Sequence, residues 1–139
     1  MSFTADRLIL FGATGDLAQR MLLPSLCALF GDELLPESLR IVGTARSDLT
    51  DEGYREFAKQ ALETYLPADR RSGVEGFLQT LFYQPLDATT LEGYKELAAK
   101  TDREGKGLAI FLSTAPSLFE PTIAGLAHAG LTQGDVRIG

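Results

Sequence analysis

At 139 residues, 45% apolar and 23% charged, the chain has the size and make-up of one soluble domain with a sizeable core. With 13 basic against 19 acidic residues the formal charge is −6 and no dense Lys/Arg run occurs, which argues against nucleic acid or an anionic membrane as partner. No apolar stretch nears the roughly 18 residues of a membrane helix, no basic n-region opens a signal peptide, and a lone cysteine, Cys27, cannot close an internal disulfide, so the chain reads as cytoplasmic.

Leu8-Ile9-Leu10-Phe11 has the length and character of a fully buried parallel strand. Gly12-Ala13-Thr14-Gly15-Asp16-Leu17-Ala18 follows, a G-x-x-G-x-x-A variant of the dinucleotide fingerprint. Gly12 lets the chain turn sharply off the strand. Gly15, lacking a Cβ, lets a diphosphate approach the backbone where helix N–H groups point outward. Ala18 stands at the third glycine's place, where alanine is allowed. The same pattern also fits a tight strand–helix turn with no ligand; its place on the first strand of an alternating chain favours the nucleotide.

Pro24 interrupts the helical segment, which predicts a short first turn, Asp16 to Met21, then a second helix to about Phe30 with Pro24 in its first turn, closed by Gly31. Leu26, Leu29 and Phe30 give that helix its buried stripe, and Cys27 on this apolar face is expected to be buried and inert. Leu39-Arg40-Ile41-Val42-Gly43 reads as the second strand. Thr50 caps the next helix, with Asp51 and Glu52 complementing its dipole and Tyr54, Phe57, Ala58, Ala61, Leu62 and Tyr65 repeating at helical spacing up to Pro67. A short helix over Gly73–Leu78 precedes a third strand, Leu81-Phe82-Tyr83, ending at Pro85. Thr90 caps a helix with Leu91, Tyr94, Leu97 and Ala98 on one face. Leu108–Leu112 is the fourth strand, a helix from Pro116 or Ser117 runs through Ile123, Leu126 and Ala127 to Gly130, and Val136-Arg137-Ile138 begins a fifth strand. Strands alternating with helices predict an α/β fold with a doubly wound, Rossmann-like parallel sheet. The six-stranded version of that fold wants more sequence, so the sheet is expected to be incomplete at its C-terminal edge and the chain to be the N-terminal piece of something longer.

The end of the second strand selects the dinucleotide. A carboxylate there holds a ribose 2′-hydroxyl, whereas an arginine accommodates a 2′-phosphate. Here Gly43-Thr44-Ala45-Arg46-Ser47 brings no carboxylate before Asp48; Arg46 offers a guanidinium fork and Ser47 a hydroxyl, which points to NADP. The plainer reading is a solvated loop arginine, and Asp48 softens the preference if it turns inward.

Three segments together, Gly12-Ala13-Thr14-Gly15-Asp16-Leu17-Ala18, Leu23-Pro24-Ser25-Leu26 and Ile41-Val42-Gly43-Thr44-Ala45-Arg46-Ser47, closely resemble the N-terminal domain of the glucose-6-phosphate dehydrogenase family. The resemblance spans essentially the whole chain, so residues 1–139 are expected to form one NADP-binding domain. It implies an NADP-dependent oxidation of glucose 6-phosphate to its lactone, a step of the pentose phosphate pathway, in an enzyme that is a homo-oligomer at full length. It further implies that Gly12, Ala13, Thr14, Gly15, Asp16 and Leu17 wrap the diphosphate and adenosine ribose, that Arg46 binds the 2′-phosphate, and that Ser113, Thr114, Ala115 and Phe119 lie towards the ribose and nicotinamide. The chain departs from the family pattern at Ala115-Pro116, where two prolines are usual, at Phe119, where many members have tyrosine, and at Gln19-Arg20-Met21, which replaces a more basic run. The family's E-K-P-x-G segment, its catalytic histidine and aspartate and its sugar-phosphate site lie beyond Gly139.

Hydride removal from an alcohol needs a base for the hydroxyl proton and a clamp for the sugar phosphate. The one histidine, His128, near a helix C-terminus, reads as dipole-complementing or solvated. Asp16, Asp48, Asp51 and Glu52 read as capping and surface charge. Cys27 and His128, far apart in sequence, make no metal cluster. The chain is therefore expected to bind NADP without catalysing turnover, with no catalytic residue and no metal ligand of its own. A free-standing NADP-binding sensor or docking module is the alternative. A short-chain or epimerase-type enzyme also uses G-A-T-G, but its Y-x-x-x-K pair is absent.

Overall fold

A computed structural model describes residues 6–33, 35, 39–87, 90, 92–101, 107–112, 119–130 and 136–138, with 70, 72, 119 and 136–138 given by their backbone. Five parallel strands stand in the order β3-β2-β1-β4-β5: β1 is Arg7–Phe11, β2 Arg40–Ala45, β3 Leu81–Pro85, β4 Leu108–Leu112 and β5 Val136–Ile138. This is the doubly wound order, with its topological switch between β1 and β4. In register, Phe11 lies beside Thr44 of β2 and beside Leu112 of β4, so three strand ends share one edge of the sheet.

Period-two alternation along β1 divides the interior in two. Leu8 and Leu10 face a cluster with Leu23, Leu26 and Cys27 of α1 (Leu23–Gly31), Tyr54, Ala58 and Leu62 of α2 (Asp51–Tyr65), and Phe77 of α3 (Val74–Leu78). Ile9 and Phe11 face the other cluster, with Tyr94 and Leu97 of α4 (Glu92–Thr101) and Leu126 of α5 (Phe119–His128). Both faces of the sheet are thus covered, which is why the central strands read as unbroken apolar runs. On the second face Tyr94 lies where a Cβ on Gly125 would stand, so α4 and α5 pack through a glycine. Two arginines at the strand starts close α4 at its C-terminus: Arg7 Nε donates to the Thr101 carbonyl at 3.0 Å and Arg40 Nε to the Lys100 carbonyl at 2.9 Å.

Several local expectations are corrected. Pro24 stands in the first turn of α1, as expected, but no break separates that helix from the turn before it. Asp16 and Leu17 are helical, Ala18–Leu22 forms a π-helical turn, and α1 continues from it, with Leu17, Leu22 and Leu23 all right-handed. The wider turn, in which the Leu23 N–H reaches back to the Ala18 carbonyl, accommodates a proline ring that would collide with the carbonyl four residues earlier in a regular helix. The buried stripe of α1 is Leu23, Pro24, Leu26 and Cys27, while Leu29 and Phe30 are only half-buried. Gly31 is the last helical residue, but the left-handed position after it is Glu33, at φ 59°. A 3-10 turn, Ala68–Gly73, leads into α3, and β2 extends two residues past the apolar run that announced it, whereas β3 ends at Pro85 as expected. Leu91 and Pro116–Leu118 fall outside the described residues.

Candidate functional site

The strand-end edge carries the glycine turn. Gly12 takes φ 75°, a left-handed conformation that glycine adopts without strain, and swings the chain off β1 towards β2. There the Thr44 carbonyl accepts both the Gly12 N–H (3.0 Å) and the Ala13 N–H (3.2 Å). The Gly15 N–H returns to the Gly12 carbonyl at 2.9 Å, and a Cβ on Gly15 would stand 3.2 Å from that same oxygen. The first intrahelical bond runs from the Gln19 N–H to the Gly15 carbonyl, at 3.2 Å. The N–H groups of Asp16, Leu17 and Ala18 therefore open the helix with no intrahelical acceptor, and these, with the dipole, suit an anion. A diphosphate fits this tight, glycine-lined cradle.

Ala13 is buried beneath the turn, and its carbonyl accepts the Tyr54 hydroxyl at 3.1 Å. Tyr54 reaches there because Gly43 lacks a Cβ: one built on it would lie 2.9 Å from both the Ala13 Cβ and the tyrosine ring. Neither group was visible as part of the site in the sequence. In the sequence Tyr54 falls on the apolar face of a helix and Gly43 at the end of a strand. Burial pushes the Tyr54 phenol well above its ordinary range, so it is a constant donor.

Arg46 and Ser47 leave β2 on the same edge, both exposed. Among the described residues Arg46 has no ion-pair or hydrogen-bond partner, so its fork is unspent. The turn beneath it is fixed by Tyr83, whose hydroxyl donates to the Ser47 carbonyl at 2.7 Å and lies 3.1 Å from the Ala45 carbonyl. Burial first, with the Asp48 charge adding to it, pushes the Tyr83 phenol up to about 12. Asp48 is itself exposed.

Asp16 forms an exposed ion pair with Arg20 at 3.2 Å, so the charge at Arg20 is shared with a carboxylate beside the turn. Leu17 and Met21, one turn apart, present exposed apolar surface next to it. Asp51 is not a surface charge. Its Oδ1 accepts the Tyr83 N–H at 2.8 Å and its Oδ2 pairs with Lys100 Nζ at 2.8 Å. Ser113, Thr114 and Ala115 lie outside the described residues, and of Phe119 only its place at the start of α5 is described. His128 is exposed in the last turn of α5. Among the described residues no group of three or more His, Cys, Asp or Glu could hold a metal, and no helix is long and apolar enough to cross a membrane.

Residues 9–138 match the family described as "Glucose-6-phosphate dehydrogenase, NAD binding domain". The glucose-6-phosphate 1-dehydrogenase of Zymomonas mobilis is 50% identical over 140 residues, an alignment covering 99% of this chain and 29% of that enzyme. Among solved structures, glucose-6-phosphate 1-dehydrogenase from Mycobacterium avium superposes with a TM-score of 0.83 at 32% identity, over 96% of this chain and 29% of that one. A glucose-6-phosphate dehydrogenase in complex with glucose 6-phosphate gives 0.81 at 26% identity, over 99% of this chain and 30% of the other. The chain thus spans under a third of the length of these relatives.

Proposed function

The chain belongs to the glucose-6-phosphate dehydrogenase family, to its NAD binding domain, and from that footing we propose that it is the NADP-binding domain of an enzyme oxidising glucose 6-phosphate at C1 to the lactone. The observation that carries this reading is the pairing, on one sheet edge, of a glycine turn pinned to the Thr44 carbonyl with the unspent guanidinium of Arg46. NADP, when bound, supplies the hydride acceptor. The residues of this chain bind and orient it. The turn from Gly12 to Leu17 holds the diphosphate with backbone N–H groups, and Arg46, with the Ser47 hydroxyl, clamps the 2′-phosphate. Ser113, Thr114, Ala115 and Phe119, which follow the β4 end beside Phe11, line the nicotinamide side. On this reading the base that takes the hydroxyl proton and the sugar-phosphate clamp belong to the catalytic domain of the enzyme and not to these residues, and His128, exposed in the last turn of α5, has no part in the chemistry. The domain acts in the cytoplasm within a homo-oligomer.

Calorimetric titration of the chain with NADP and with NAD, repeated with Arg46→Ala, tests the reading. NADP should bind more tightly, and the substitution should weaken NADP by about 10- to 100-fold while leaving NAD nearly unchanged. Equal binding of the two dinucleotides, unaffected by the substitution, would remove Arg46 from the site.

A further inference from the structure

We propose that Tyr54 and Tyr83 are two positioning residues with separate tasks, Tyr54 setting the diphosphate turn and Tyr83 setting the turn that presents Arg46; the assignment of these two turns rests on the NADP reading above. The rings lie 5.1 Å apart at 31°, Tyr54 coming from α2 and Tyr83 from β3. From this shared base the hydroxyls diverge, one to the Ala13 carbonyl and the other to the Ser47 carbonyl. Among the described residues no other side chain donates to the carbonyls of Ala13, Ala45 or Ser47. Beside the backbone bonds from Gly12 and Ala13 to the Thr44 carbonyl and from Leu86 to the Ala45 carbonyl, each turn thus takes its side-chain hydrogen bond from one phenol, and the two phenol rings pack on each other.

Packing alone does not account for tyrosine at either place. Phenylalanine fills the same apolar volume without bringing a buried hydroxyl that must find an acceptor. Both hydroxyls find theirs on the backbone of the two turns that would face a dinucleotide. The geometry also assigns them different consequences. Ala13 belongs to the turn that meets the diphosphate, which NAD and NADP share. Ala45 and Ser47 flank Arg46, which meets the 2′-phosphate that NADP alone carries. Tyr83 is therefore a specificity-determining residue that never touches the cofactor, whereas Tyr54 acts on affinity for both dinucleotides.

The wild-type chain, Tyr54→Phe and Tyr83→Phe are titrated with NADP and NAD, and backbone order parameters are measured by nitrogen-15 relaxation on the ligand-free chains. Tyr83→Phe should weaken NADP about 3- to 10-fold, leave NAD within about twofold, and lower the order parameters of residues 46–48 only. Tyr54→Phe should weaken both dinucleotides alike by about 3- to 10-fold and lower order at residues 13–15. Each variant loses one buried hydroxyl, so general destabilisation is common to both and cannot produce this division. Equal losses of NADP and NAD in Tyr83→Phe, or unchanged order at both turns, overturn the proposal. A wild-type chain that does not discriminate NADP from NAD defeats the NADP reading instead, and the order parameters then decide the pair by themselves.

Discussion

One absent methyl group sets the depth of the glycine turn after β1. Gly43 lies under Ala13 and against Tyr54, so Gly43→Ala forces a Cβ to within 2.9 Å of both and should cost about 1–3 kcal/mol through overpacking. A thermal melt reads this as a lowered midpoint, with weaker dinucleotide binding as the turn is lifted. Gly31→Ala is the matched control. Nothing lies within 4 Å of its added Cβ, and in a helix the change should be neutral or stabilising by up to about 1 kcal/mol. Single residues were legible in the sequence where their chemistry is local. Gly12 takes its left-handed turn, and the Thr50 hydroxyl accepts the Gly53 N–H at 3.0 Å, three residues away. Tyr54 and Tyr83 were not legible. Their partners are backbone carbonyls 41 and 36 residues distant, and a carbonyl leaves no mark in a sequence.

At the scale of elements, proline was legible as an interruption but not in the form the interruption takes. A break and a π turn both relieve the clash at Pro24, and tertiary packing of Leu23 and Cys27 against β1 favours the continuous path. Asp51 was legible as the start of α2 but not as the clasp between α2, β3 and α4. Burial by itself would raise its pKa. The Lys100 hydrogen bond, the Tyr83 N–H and the charges of Lys100 and Arg55 outweigh that and hold it below its ordinary 3.8. A carboxyl lowered in the folded state adds stability above its unfolded pKa and loses it as pH falls through the folded value. Melting midpoints should therefore drop in acid below pH 3.8 more steeply for the wild-type chain than for Asp51→Asn, which is less stable at neutral pH. Parallel curves for the two proteins would show that the clasp contributes nothing.

Across the whole molecule, the alternation of elements made the parallel, doubly wound sheet legible, because right-handed crossovers and helices on both faces leave few arrangements open. Cys27 reports on its integrity. The thiol is fully buried, and burial pushes it up to about 11, so at pH 8 a thiol reagent should react only as fast as the domain opens, and at once in denaturant. The outer rim of β3 has a further consequence. Asp51 takes the Tyr83 N–H, Arg55 Nε takes the Leu81 carbonyl at 2.9 Å, the Gln84 amide takes the Pro85 carbonyl at 3.3 Å, and Pro85 has no N–H to give. These spent groups make β3 a poor template for another strand. The sheet is a ladder with one finished rail: a strand added beyond β5 would lie on the far side of β4 and β1 from the turns after β1 and β2, and would leave those turns as they are.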